Sequence, residues 1–133
     1  MTKQLQCNLL PSWGSLGKIP AMQASCWVIM LEKFAGVNDG TLAHGIDMAE
    51  SQISRIRSAR GGYVRTYTLT PLTRVAVLID EARKTLTEAG VRHWLTTPNP
   101  YLNDVPPILC LRSDKELEKA KSLLASLRCG FPA

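Results

Sequence analysis

The chain has 133 residues, a mass of 14.7 kDa and a net charge of +5. This length favours one domain, or one small domain plus a short extension, and 45% hydrophobic against 20% charged residues is the composition of an ordinary soluble globular protein. The charge is uneven, since residues 51–79 hold five arginines and no acid, whereas the rest holds eleven bases and eleven acids. These arginines are Arg55, Arg57, Arg60, Arg65 and Arg74. The pattern excludes a uniformly basic, histone-like protein and indicates a local anionic partner such as phosphate.

The sequence also indicates whether the protein enters a membrane and whether its cysteines form disulfides. The longest apolar run, Cys26 to Leu31, is too short to cross a membrane, and the first 14 residues carry one lysine and no sustained apolar region. We therefore expect a cytoplasmic protein with no membrane partner and no signal peptide. The four cysteines are then expected to be reduced thiols, and the absence of a CxxC pair argues against zinc. No metal or other cofactor is implied.

Start and stop signals in the first half predict short helices. Residues 1–20, with two prolines and two glycines, read as an arm that packs on a partner or on the domain surface. A helix follows Pro20, with its apolar face at helical spacing, and ends at Gly36. Asn38 or Asp39 caps a second helix that runs to about residue 46, and a third covers about residues 49–59.

The second half continues the helical pattern. Residues 63–69 alternate like a strand, but with no evident partner strand an extended loop or small hairpin is equally consistent. Thr70–Pro71 opens what we predict to be the longest helix, ending at Gly90, and short helices follow near 91–96 and 107–111. Ser113 and Glu116 form a capping box for the last helix, which Gly130 closes. The predicted fold class is all-α, with about seven helices.

The segment LAHGIDMAESQISRI, residues 42–56, has the pattern of a helix-turn-helix. Ala43 supplies the small residue where the helices cross, and Asp47 occupies the turn, where it tolerates a left-handed backbone. The apolar positions that should face the core are Leu42, Ile46, Met48, Ile53 and Ile56. A helical hairpin with an alanine contact and no DNA-binding role is the alternative.

In a helix-turn-helix the start of the second helix enters the major groove. The predicted base readers are Ala49, Glu50, Ser51 and Arg55. Arginine forks onto guanine and glutamate accepts from cytosine. Ser51, Gln52 or Ser54 would reach phosphate or bases, while Arg57, Arg60 and Arg65 would hold the DNA backbone. For each arginine after Arg55, a solvated surface charge is the alternative.

The C-terminal part carries an ordered set of motifs. Trp94-Leu95, Thr97-Pro98-Asn99, Leu102, Pro107, Leu111 and a closing helix ending in Gly130-Phe131 resemble the toxin-binding domain of the Xre/MbcA/ParS antitoxins. The resemblance covers about residues 71–131, and the helix-turn-helix lies where that family has one. Two departures are Asp47 at the turn and Asn103-Asp104, which replace glycines. Pro132-Ala133 after Phe131 is a third departure.

The resemblance implies an all-α homodimer that neutralises a RES-domain toxin, which consumes NAD or uses it in modification, and that represses its own operon by binding operator DNA. It implies an arm (1–20), a DNA-binding region (21–69) and a toxin-binding domain (70–133). The implied toxin-binding residues are Trp94, Pro98, Asn99, Leu102, Pro107, Phe131, Pro132 and Ala133. A purely structural role in the core is the alternative for Trp94.

Three other functions remain. The chain could be a stand-alone helix-turn-helix transcription regulator whose C-terminal module only dimerises, or an interaction protein that has lost DNA binding. An enzyme is the least favoured, because no Ser/His/Asp or Cys/His grouping and no glycine-rich phosphate loop stands out. The two histidines, His44 and His93, have no nearby acid in sequence. We therefore predict a non-enzymatic antitoxin.

Overall fold

A computed structural model describes residues 9–130. The α-helices are α1 (Ala21–Ala35), α2 (Asp39–Ile46), α3 (Glu50–Ser58), α4 (Thr70–Arg83), α5 (Glu88–Thr96) and α6 (Asp114–Arg128). Short 3-10 helices cover Thr66–Leu69, Pro100–Leu102 and Pro107–Leu109, and the strands are β1 (Lys18–Pro20) and β2 (Tyr63–Arg65). The predominantly helical fold class is therefore confirmed. Over the described range, no helix combines the length and apolar character needed to span a bilayer.

Several helix boundaries follow the local signals in the sequence. Gly36 ends α1 in a left-handed conformation, with φ of 72°. The Asn38 side chain caps α2 by accepting a 2.9 Å hydrogen bond from the Thr41 N–H. Ser113 caps α6 by accepting from the Glu116 N–H, while the Glu116 carboxylate accepts from the Arg112 N–H. These caps satisfy backbone donors that a helix N-terminus otherwise leaves unpaired.

The predicted end of α4 at Gly90 is wrong. The helix ends at Arg83, and Gly90 lies inside α5, where its N–H donates to the Thr87 hydroxyl at 3.1 Å. Thr87 is thus a helix N-cap that begins a new helix before the glycine is reached. Consequently α4 has 14 residues and is not the longest helix, since α1 and α6 have 15 each.

Residues 63–65, part of the segment whose side chains alternate in character, pair with a strand from the N-terminal arm. Strand β1 pairs antiparallel with β2, with Lys18 opposite Arg65 and Ile19 opposite Val64. The rest of the described arm also packs on the domain, because Leu9 is fully buried and its carbonyl accepts from the Trp27 indole at 2.7 Å. A two-stranded ribbon therefore joins the helices, which the all-α prediction did not include.

The two predicted functional halves share one hydrophobic core, whose buried residues run from Leu9 to Leu124. Gly45 on α2 packs directly against the Ile108 carbonyl, so that a Cβ at residue 45 would overlap that oxygen. The Gly45 carbonyl also accepts a 3.1 Å hydrogen bond from the Leu111 N–H. The end of α2 is thus seated on the loop that precedes α6.

Three non-glycine residues of the described range adopt positive φ, and they stand at the two turns where the family resemblance expects glycine. Asp47 has φ of 61°, and Asn103 and Asp104 have 59° and 62°. Asn and Asp tolerate this left-handed region better than other L-residues. Both turns therefore adopt the left-handed backbone that glycine would favour, although Asp47, Asn103 and Asp104 occupy them.

Candidate functional site

Helices α2 and α3 form the predicted helix-turn-helix. Asp47, in the left-handed conformation, and Met48 both donate backbone hydrogen bonds to the Ala43 carbonyl, which closes the turn. Ala43 is 2% exposed, as the crossing position requires. The predicted inner residues Leu42, Ile46, Ile53 and Ile56 are buried, and Met48 packs partly against the core. The local geometry predicted from the sequence is thus present.

The predicted base readers lie at or just after the start of α3. Ala49 precedes the helix, and Ala49, Glu50, Ser51 and Arg55 are all exposed. Gln52 and Ser54 are half-buried. The Glu50 carboxylate lies against Gly40 at the start of α2, on one side of a polar cleft of about 450 Å³. Residues Ala49, Ser51 and Arg55 therefore form the open part of the surface that would enter a groove.

Arg57 differs from the other predicted phosphate contacts Arg60 and Arg65, because its partly exposed guanidinium is paired with acids of the same chain. Nε and Nη2 each donate a 2.9 Å hydrogen bond to the two carboxylate oxygens of Asp39. Nε also lies 3.7 Å from Glu32 Oε1, and the Arg57 backbone carbonyl accepts from the Ser25 hydroxyl. Arg57 thus joins α3 to α1 and to the start of α2, and it positions α3.

The two acids beside Arg57 carry opposite pKa shifts. Burial raises the pKa of Glu32 to about 8, and the hydrogen bond with Asp39 adds to that effect. The hydrogen bonds from Arg57 hold the pKa of Asp39 below its usual range. At neutral pH Glu32 is therefore protonated and Asp39 ionised, so that one negative charge faces one guanidinium.

A second arginine of the acid-free window is also paired internally. Arg74 on α4 donates from Nε to Asp114 at 3.1 Å and from Nη1 to the Leu111 carbonyl at 3.2 Å. Arg60 contacts only the carbonyls of Ser58 and Ala59. Within residues 9–130, Arg55, Arg60 and Arg65 form no ion pair with an acid, so these three keep a charge available for a partner.

Most predicted toxin-binding residues of the described chain are internal. Asn99 is 5% exposed, and its side chain accepts from the Tyr101 N–H at 2.9 Å. Its backbone N–H donates to the Val105 carbonyl, and its own carbonyl accepts from Leu102 and Asp104. Leu102 and Pro107 are buried. Asn99 therefore holds this proline-rich loop in place through its hydrogen bonds, and Leu102 and Pro107 are buried residues of the same region.

Several residues of the loop are exposed to solvent. Pro98 is exposed, and Tyr101, which the sequence reasoning did not single out, is 52% exposed. Trp94 is half-buried, and its indole N–H is buried without a hydrogen-bond partner among the described residues. Phe131, Pro132 and Ala133 lie outside the described residues. Pro98 is thus an accessible predicted toxin-binding residue, and Tyr101 lies beside it on the exposed part of the loop.

Three other features escaped the sequence reasoning. Glu32 and Asp39 pair with an arginine 18 or more residues away, and no local pattern reports such a contact. Lys18 lies opposite Arg65 because β1 pairs with β2, and the sequence alone does not indicate that pairing. The close contact at Gly45 could have been predicted, because a glycine inside a helix lowers helix propensity and commonly marks a close packing contact.

No protein-family model and no curated protein matches the sequence. A chain in the crystal structure of the M. tuberculosis MbcT-MbcA toxin-antitoxin complex superposes with a TM-score of 0.58 and 16% sequence identity. The match covers 84% of this chain and 97% of that one. At this identity the likeness concerns the fold alone. The chain therefore shares its fold with a subunit of a toxin-antitoxin complex.

Proposed function

We propose that the chain is the antitoxin of a type II toxin-antitoxin system, which binds and neutralises a toxin and represses its own operon. The observation that carries this proposal is the fold shared, over nearly the full length of that subunit, with a chain of the MbcT-MbcA complex. The sequence resemblance to the Xre/MbcA/ParS antitoxins supports the same role and adds a RES-domain, NAD-consuming toxin as the partner.

The operator-binding half of the proposal rests on α3. Its exposed start presents Ala49, Ser51 and Arg55, and the helix-turn-helix has the turn and buried positions that such a motif needs. We assign base reading to these residues and backbone contacts to Arg60 and Arg65. A homodimer would place two copies of α3 on the two halves of an operator.

The toxin-binding half rests on the loop between α5 and α6. We assign direct contacts to the exposed Pro98 and Tyr101, with Asn99 holding the loop and with Phe131–Ala133 as a tail directed at the toxin. This charge-balanced region suits a protein partner in the cytoplasm better than it suits nucleic acid.

The test is co-expression with the neighbouring reading frame in the original genome. We expect that reading frame alone to arrest growth and lower cellular NAD, and co-expression of this chain to restore growth and yield a co-purifying complex. Removing residues 131–133 should abolish rescue while DNA binding persists. Tyr101→Ala should weaken the complex, and Tyr67→Ala, at an exposed tyrosine far along the chain, is its control.

Failure of every neighbouring reading frame to arrest growth or to bind the chain would contradict the antitoxin role. If DNA binding and dimerisation survived that result, the chain would be a stand-alone transcription regulator whose C-terminal module only dimerises. Gel shift on the upstream region measures the DNA-binding half independently. If Arg60 and Arg65 of both protomers neutralise phosphate charge, log affinity should fall with log salt at a slope of about −4.

A further inference from the structure

The ribbon of β1 and β2 has one face in the core and one face in solvent. Ile19 is 1% exposed and Val64 is half-buried, whereas their neighbours along each strand are exposed. Since side chains alternate along a strand, the outer face carries Lys18 opposite Arg65 and Pro20 opposite Tyr63. Tyr63 is 67% exposed.

Both strands come from stretches of sequence without acids. Residues 1–31 contain no Asp or Glu, and neither do residues 51–79. The acids of residues 32–50 separate the two stretches along the chain, but the ribbon brings them into register. The positive character of the surface is therefore larger than the arginine window alone indicates.

The cross-strand pair of Lys18 and Arg65 is electrostatically unfavourable by itself. Like charges directly opposite on one face of a ribbon repel, and no acid of residues 9–130 forms an ion pair with either. The Lys18 ammonium lies 4.8 Å from the centre of the Tyr63 ring, and the Tyr63 side chain is exposed to solvent. Two adjacent cations and a phenol form a surface that phosphate would neutralise.

The ribbon lies within reach of the recognition helix. Strand β2 begins five residues after α3 ends at Ser58, so the two cannot be farther apart than about 17 Å along the chain. The connection is fixed, because the Ala21 N–H donates to the Gly62 carbonyl at 2.9 Å and the Thr66 N–H donates to the Gly17 carbonyl at 3.0 Å. A major groove is about 12 Å wide, and this limit on the separation is of the same order.

We propose that the outer face of this ribbon, Lys18, Tyr63 and Arg65, is a second DNA contact that grips the phosphate backbone beside the groove occupied by α3. The proposal rests on the DNA-binding function proposed above and extends it to the N-terminal arm. The ribbon adds sequence-independent affinity and fixes the orientation of α3, while α3 reads the bases.

The test uses the full chain and two labelled duplexes, one from the DNA immediately upstream of its coding sequence and one with the same composition in scrambled order. Affinity is measured by fluorescence anisotropy from 50 to 300 mM KCl. With Lys18 included, the wild-type slope of log affinity against log salt should be about −5, and K18A/R65A should reduce it to about −2. At 0.15 M salt the variant should lose affinity by the same factor on both duplexes, because phosphate contacts carry no sequence information.

The control is K115A/K119A, which removes the same charge from exposed positions on α6 and should leave the slope unchanged. If wild-type protein binds the upstream duplex and K18A/R65A binds it with the same slope, the ribbon proposal is overturned while α3 binding stands. Absence of wild-type binding to either duplex at 50 mM KCl overturns both. If light scattering shows that K18A/R65A changes the oligomeric state, the ribbon serves a second copy of the chain instead.

Discussion

The guanidinium of Arg57 and the carboxylate of Asp39 meet through two parallel hydrogen bonds of 2.9 Å each. This two-pronged contact fixes the orientation of both side chains as well as their distance. It fastens α3 to the first turn of α2, so an arginine that the charge pattern assigned to DNA holds the two helices together instead.

Arg57→Ala should therefore lower the thermal midpoint and leave Asp39 and Glu32 without their cation. Arg55→Ala, two residues earlier on the exposed face, should stay within about 0.5 kcal/mol of wild type, as is usual for surface substitutions. Thermal unfolding followed by circular dichroism measures both. Equal midpoints for the two variants would show that the Arg57 pair does not stabilise the fold.

Glu32 gives the fold a pH dependence. Because its pKa is raised to about 8, the stability that its protonated form contributes is complete below its ordinary value of 4.5 and is lost as pH rises through about 8. Asp39, with a lowered pKa, has the opposite sign: its contribution is present above 3.8 and is lost as pH falls through its folded-state value.

Glu32→Gln should retain the neutral donor to Asp39 without a titrating proton. Its stability advantage over wild type should grow between about pH 5 and 8 and then level off. Urea unfolding at a series of pH values measures this difference, and Glu118→Gln, at an exposed acid on α6, is the control. An advantage that does not change with pH would exclude a protonated Glu32 in the native state.

Gly45→Ala tests the contact between α2 and the loop before α6. Alanine improves helix propensity by about 1 kcal/mol, but its Cβ would overlap the Ile108 carbonyl, which belongs to the backbone and cannot rotate away. We expect a net loss of about 3 kcal/mol in urea unfolding. Gly61→Ala, where a Cβ meets nothing within 4 Å, should be nearly neutral. A stabilised Gly45→Ala protein would refute the close packing.

Asp47→Gly should raise the stability by about 0.5–1 kcal/mol, because glycine relieves the left-handed backbone at φ of 61°. Asp47→Val should lower it, since a β-branched residue is poorly tolerated there. The same unfolding experiment gives both values. If valine were tolerated as well as glycine, the turn would not have this conformation in solution.

Arg55→Ala should weaken binding to the upstream duplex by about 1–3 kcal/mol and relax the preference at one base pair. Competition with duplexes that vary a single position measures that preference. Equal loss on upstream and scrambled DNA would instead assign Arg55 to the backbone, as expected for the Lys18–Arg65 pair.

Sequence signals predicted those helix ends that depend only on residues close together along the chain. Asn38, Ser113 and Gly36 set the helix ends that their residue types predict. The end of α4 was misplaced because Gly90 was taken as a stop, whereas Thr87 had already begun the next helix. Both signals lie within four residues of each other, and only tertiary packing decides between them.

Contacts between residues far apart in the chain could not be predicted from the sequence. The strand over 63–65 was recognisable, but its partner lies more than 40 residues earlier in the arm. The acid-free window was visible, but the pairing of Arg57 and Arg74 with acids from outside it was not. The resemblance placed Asn99 on a toxin-binding surface, although its hydrogen bonds make it a loop organiser.

The contact between Gly45 and Ile108 has an evolutionary consequence. Proteins whose modules are joined by linkers exchange them by recombination, since each half carries its own packing surface. Here a crossover between α3 and α6 with a parent that lacks this glycine would set a side chain at residue 45 against the Ile108 carbonyl. Both sides of this contact should therefore be inherited together, and changes of binding specificity should arise by substitutions at exposed positions.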